Sequence, residues 1–387
     1  MARLVDLPPE LLQLVIDEVY KGYWEESAWR AEGRNIALVC KALRPFGTAL
    51  IYRDLSLRGL EHDQLFRRIL GRHDLPIFIS SLTYTDSRAV PSPSRLALLE
   101  QLLPACTALT HLHLYAAPPI INRIVGARGL LLPTTITSLT LRSVPFLDAL
   151  DVGPVLSTIA AFRSLRHLDL LISIPVLVPP RLPCKQSQLP LPLRTLTISF
   201  PPSNAHNRHV EYVILSRLAL LVDPLIITSL TLRLATAEPF LFTWLALLTS
   251  LRELHIHLQH DTVDTQLEAL TATLPALSLL RNLLIRQRVL RVPRPIHATV
   301  PSLSAFLASL PPDLETFNSS LFFPNGVHDS PVKEFLHARA ASRSPLCRFT
   351  CEIPEEGGMG GKACELQRVK FEGDRFLWVE VNEDSDV

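Results

Sequence analysis

A chain of 387 residues exceeds what one simple core needs at ~150 residues per domain, so several units or an extended array are expected. Apolar residues make up 48% and charged residues 19%, which excludes global disorder. With 38 Lys and Arg against 37 Asp and Glu, the strongly basic surface of a non-specific nucleic-acid or acidic-membrane binder is excluded, and protein partners are expected instead.

The first ten residues carry Arg3, Asp6 and Glu10 together with Pro8 and Pro9, unlike a secretory signal. Leu7-Pro8-Pro9-Glu10-Leu11-Leu12 opens an amphipathic helix continued by Val15, Ile16 and Val19, with proline where a missing N–H costs little. A second helix is expected from near Asn35, placing Ile36, Val39 and Leu43 on one face, and a third from Pro45 with Phe46 and Leu50. Three short helices within residues 1–57 bury too little alone and need a partner or a neighbouring domain.

Leu7-Pro8, Glu10-Leu11-Leu12, Val15-Ile16 and Leu38-Val39-Cys40-Lys41 stand in an order that resembles an F-box. By that resemblance Leu7, Pro8, Leu11, Val15, Ile16, Val39 and Cys40 supply the module's core and its contact with a Skp-type adaptor, and through it a cullin. Leu43 stands where many F-boxes have Trp, and an insert at residues 21–34 separates the first two helices. Another reading of the same leucines is a cap over the open end of a following array, and the two roles are compatible.

Further along, an apolar residue occupies the first, fourth and sixth places of a recurring phrase: Leu109, Leu112, Leu114; Ile136, Leu139, Leu141; Leu165, Leu168, Leu170; Leu193, Leu196, Ile198. It continues as Ile227, Leu230, Leu232; Leu251, Leu254, Ile256; and Leu280, Leu283, Ile285, with weaker copies at Ile79, Leu82, Tyr84 and at Leu314, Glu315, Phe317, the last lacking its sixth apolar residue. Successive starts lie 24 to 34 residues apart. Positions four and six point to one side of a strand, which is therefore the core side. Between strands, Leu267, Leu270 and Leu274 recur at helical spacing after Asp264, read as an N-cap, and Pro275 closes the segment.

This phrase resembles the leucine-rich repeat family over residues 76–340. The implied fold is α/β: a three-helix F-box-like module at 1–57, then a curved leucine-rich-repeat solenoid with a parallel sheet at 58–344. Residues 345–387 are expected to be a linker and a capping hairpin, its strands at 366–371 and 376–381. The Asn or Cys common after the strand is replaced by Ala117, Val144, Ser173, Pro201, Ala235, Gln259 and Arg288.

Residues alternating with the core leucines line the open face of such a sheet, and the candidate target-binding set is His111, His113, Tyr115, Arg142, His167, Arg233, His255, His257 and Arg286. Asp169 and Glu253 are the acids on this face, so an acidic or phosphorylated protein segment is the expected ligand. The plainer reading is the polar surface that any half-exposed strand requires.

His255, His257, His260 and Asp261 lack a second ligand pair at metal-binding spacing, and Cys347, Cys351 and Cys364 fall short of a four-ligand zinc site. The glycine run at 357–361 lacks the Lys-Ser/Thr ending of a phosphate-binding loop, and no nucleophile has a neighbouring base. The six scattered cysteines do not form a disulfide framework, and the most apolar window, 210–232, is interrupted by Glu211, Arg217, Asp223 and Pro224. The expectation is a non-catalytic cytoplasmic or nuclear protein with no cofactor, metal, nucleic acid or membrane partner. It would be the substrate receptor of a Skp–cullin–F-box ubiquitin ligase, with an adaptor-independent leucine-rich-repeat scaffold as the alternative.

Overall fold

The structure is a computed structural model that describes residues 8, 11–12, 14–15, 26–41, 43–58, 63–86, 93–126, 132–143, 150–172, 176–177, 190–200, 208–233, 239–259, 263–288, 300–322, 330–341, 345–354, 361–370 and 376–381. The chain forms two compact units, residues 1–165 with 173–183, and residues 166–172 with 184–387.

The first unit opens on helical turns at Leu11, Leu12, Leu14 and Val15, where the Leu12 N–H donates to the Pro8 carbonyl at 3.0 Å. Helix α1 (Glu26–Val39) and helix α2 (Arg44–Arg53) follow. α1 therefore begins well before Asn35: the insert thought to separate the helices is itself helical from residue 26, because Ala, Glu and Arg favour helix over loop. Leu43 lies just ahead of α2 rather than on the second helix, and Pro45 sits in the first turn of α2. Leu12, Leu43 and Leu50 make a small core, with Ile36, Cys40 and Phe46 packed against it. α1 and α2 cross at Gly33 and Gly47, where a Cβ on Gly47 would strike the Gly33 carbonyl oxygen and the Ala37 nitrogen.

Four parallel strands follow in this unit: β1 (Asp54–Arg58), β2 (Ser81–Asp86), β3 (His111–Ala116) and β4 (Ser138–Ser143). Leu55, Leu82, Leu112 and Leu139 stand side by side in register, and all four are buried. β1 lies inside the segment expected to be purely helical. Helices α3 (Asp63–Leu70), α4 (Pro93–Ala105) and α5 (Val152–Ile159) contribute further core, including Phe66, Leu99, Leu102 and Leu156. Asp151 caps α5 by accepting the Gly153 N–H at 3.3 Å.

The second unit holds seven parallel strands: β5 (His167–Leu171), β6 (Thr195–Ser199), β7 (Ser229–Arg233), β8 (Glu253–Gln259), β9 (Asn282–Arg288), β10 (Thr316–Phe322) and β11 (Arg348–Pro354). Its helices are α6 (Arg208–Leu221), α7 (Pro239–Leu245), α8 (Val263–Thr273), α9 (Val300–Ser309) and α10 (Ser330–Ala341). Leu267, Leu270 and Leu274 are fully buried, as their spacing predicts, but Asp264 lies inside the first turn of α8 instead of at its cap.

Register corrects one repeat and adds another. Phe317 pairs with Leu283 and Ser319 with Ile285, so the β10 phrase is Leu314, Phe317, Ser319, and Glu315 lies outside the core. β11, beyond residue 344, continues the series with Leu346 and Phe349 buried, and Phe349 pairs with Phe317 at a ring distance of 5.2 Å. Strands β12 (Gly361–Lys370) and β13 (Phe376–Val381) then add antiparallel to β11, and the Trp378 indole N–H donates to the Leu336 carbonyl of α10 at 3.1 Å.

Within each unit, successive repeats are joined through the main chain. The carbonyl one residue after the first leucine accepts two successive N–H groups from the following repeat: Arg194 and Thr195 on Arg166 (2.8 and 3.0 Å), Thr228 and Ser229 on Arg194 (2.9 and 3.1 Å), and Arg252 and Glu253 on Thr228 (2.8 and 3.0 Å). In the first unit Thr137 and Ser138 do the same on Thr110 (2.8 and 3.0 Å). A contact made by backbone leaves the side chain at that place unconstrained, which explains how Ser80, Thr110, Arg166, Arg252 and Glu315 occupy equivalent positions. The result in both units is a parallel-sheet repeat of the leucine-rich-repeat type. No helix among the described residues is long and apolar enough to cross a membrane.

Candidate functional site

The helical module turns some of its apolar residues outward. Leu12 faces the core at 3% exposure, whereas Leu11 (49%), Leu14 (63%), Val15 (38%), Leu38 (82%) and Val39 (69%) are exposed, as is Pro8. Of the adaptor-binding candidates, Pro8, Leu11, Val15 and Val39 thus reach the surface, and Cys40 is half-buried against the Leu12–Leu43–Leu50 core. Leu7 and Ile16 lie outside the described residues. Leu14 and Leu38 were missed by the sequence reading, although Leu14 follows Leu11 at helical spacing and Leu38 is part of the Leu38-Val39-Cys40 phrase.

The open sheet face of the first unit carries His111, His113 and Tyr115 on β3, opposite Ser138, Thr140 and Arg142 on β4. His111, Tyr115 and Arg142 are exposed, and the Thr110 hydroxyl lies 2.8 Å from His111 Nδ1. At the starts of β1, β2 and β3 a shallow hollow of about 460 Å³ is lined by Arg53, Asp54, Ser80, Thr110 and His111 among others.

In the second unit the open face forms rows across the strands. The first holds His167, Thr195, Ser229, Glu253 and Asn282; the second holds Asp169, Thr197, Thr231, His255 and Leu284. Arg233, His257 and Arg286 stand side by side on β7, β8 and β9 in the third row. Arg233 and Arg286 are exposed and His257 is half-buried. Ser199, which pairs with Arg233 in the same row, is buried at the end of β6. His167 stands opposite Thr195, apart from the other candidates.

Burial holds the His255 imidazole below its ordinary titration range; Glu253 opposes that shift, and the charges of Arg286 and Arg233 reinforce it. A stripe of exposed arginines, Arg166, Arg194, Arg252 and Arg281, marks the starts of four repeats, with Arg281 paired to Glu315 at 2.6 Å. Sequence reading overlooked it because attention to the buried leucines skips the second place of each phrase. Among the described residues no group of three His, Cys, Asp or Glu is placed to hold a metal ion, and His260 and Asp261 lie outside them.

No protein-family model matches the chain, and no curated protein matches it. Among solved structures it is similar to the crystal structure of a TLR13–ssRNA13 complex, at 14% identity and a TM-score of 0.33, over 71% of this chain and 33% of that chain. The match therefore spans about a third of that chain, and a likeness at this level carries no argument about ligand or partner. The repeat architecture stands on the strand register and burial described above.

Proposed function

We propose that this chain is the substrate-recognition subunit of a Skp–cullin–F-box ubiquitin ligase in the cytoplasm or nucleus, docking a Skp-type adaptor through its N-terminal helices and a target protein through its repeat face. The observation that carries this reading is the set of five apolar side chains, Leu11, Leu14, Val15, Leu38 and Val39, exposed on two segments flanking the same small core. Water-exposed leucine and valine at such density are characteristic of an unfilled protein contact. All but Leu14 stand in the phrases that resemble an F-box. The open repeat face supplies the second contact, since stacked repeats present an extended row of side chains. On this reading the chain contributes proximity, and ubiquitin transfer is catalysed elsewhere in the complex.

Co-expression with a Skp-type adaptor, followed by size exclusion, tests the proposal. Wild type is expected to co-elute stoichiometrically, and a Leu11→Asp, Val39→Asp variant is expected to run alone with an unchanged melting profile, because both positions are exposed. A well-folded wild type that never joins an adaptor would leave an adaptor-independent repeat scaffold as the better account.

A further inference from the structure

We propose that Arg233, His257 and Arg286 form a receptor for one phosphate group carried on a target polypeptide. This rests on reading the open face of the second unit as the target surface, and it names the chemistry of that target. The three side chains project from adjacent parallel strands at the same register. Strands lie ~4.8 Å apart, so the two arginines are about 10 Å apart at their backbones, a gap short enough for both side chains to reach one phosphate group held between them. Two guanidinium charges balance a phosphomonoester of about −1.5 to −2, where a carboxylate would neutralise only one. Planar forked donors match phosphate oxygens two at a time.

The surroundings agree. Glu253, an acid on the same face, lies four residues back on β8, roughly 13 Å along the strand. Thr231 and Leu284 neighbour the cluster in the adjoining row and offer a hydroxyl and an apolar contact to the residues beside the phosphate. A polyanion is the poorer fit: the cluster holds two arginines and one histidine and is bounded on the β6 side by the buried Ser199. The exposed arginines at the strand starts lie beyond the Glu253 row.

The test uses the full chain and four probes: inorganic phosphate by calorimetry, and degenerate dodecapeptides with a central phosphoserine, the same peptides with serine, and a uridine dodecamer by fluorescence polarisation. Phosphate and phosphopeptide affinity is expected to fall at least about tenfold in Arg233→Ala and in Arg286→Ala, to be partly kept in the lysine variants, and to be unchanged in Arg67→Ala on α3. Phosphoserine peptides should bind at least about tenfold tighter than their serine counterparts and tighter than the uridine oligomer. Equal binding of the two peptide sets, or phosphate binding indifferent to both arginines, overturns the proposal. Tighter, arginine-dependent binding of the uridine oligomer overturns it in favour of a nucleic acid. Adaptor co-elution measured in parallel separates the two readings: a wild type that binds phosphate but no adaptor sinks the ligase reading alone, and one that binds adaptor but no phosphate sinks the receptor alone.

Discussion

Burial in the second unit alters the chemistry of the His255 side chain. Its folded titration lies below the unfolded value of about 6.5, so the unfolded chain takes up this proton first as pH falls. Its contribution to stability is complete above that value and is lost as pH drops through the interval beneath it. The charged neighbours are Glu253 on its own strand, Arg233 on β7 and Arg286 on β9. Thermal unfolding from pH 7.5 to 5.5 should show a falling melting temperature whose slope is shallower in His255→Gln; an unchanged slope would contradict the assignment. Burial also pushes the Cys106 thiol up to about 12. Iodoacetamide at pH 8 should therefore modify the exposed Cys347 and spare Cys106 until the chain unfolds, as read by peptide mass spectrometry.

Strands and helices in this chain are held by leucines on one side and by main chain on the other, and the two should respond to mutation differently. Leu254 is fully buried between Leu230 and Leu283, so Leu254→Ala is expected to cost about 2–5 kcal/mol in chemical denaturation. Arg281→Ala removes an exposed ion pair with Glu315 and should cost less than about 1 kcal/mol, because the Arg281 carbonyl keeps both of its N–H donors. In the helical module Gly47→Ala should destabilise by about 1–3 kcal/mol, since a methyl has no room between α2 and α1. The leucine phrase made seven central strands legible in the sequence, because positions four and six must share a face. β1 and β11 were not legible: the first follows directly on a helix, and the second replaces the two strand leucines by Phe349 and Cys351. The start of α1 was hidden because residues 26–34 show no apolar period, although Glu26, Ala28, Arg30, Ala31 and Glu32 are good helix formers.

Across the whole chain, the candidate surfaces were readable as residue identities but not as groupings. Alternation placed Arg233, His257 and Arg286 on one face; that they share a row depends on register between strands whose paired residues are 24 and 29 positions apart, which no local pattern specifies. Likewise the sequence named Leu11 and Val39 without showing that they point away from Leu12 and Leu43. The role of the N-terminal helices as a docking face is the central claim, and hydrogen exchange on the intact chain with and without a Skp-type adaptor addresses it most directly. Protection gained at residues 11–15 and 36–41, with the β8 and β9 strands unchanged, is the predicted result; equal exchange in both states, or protection confined to the repeats, would contradict it.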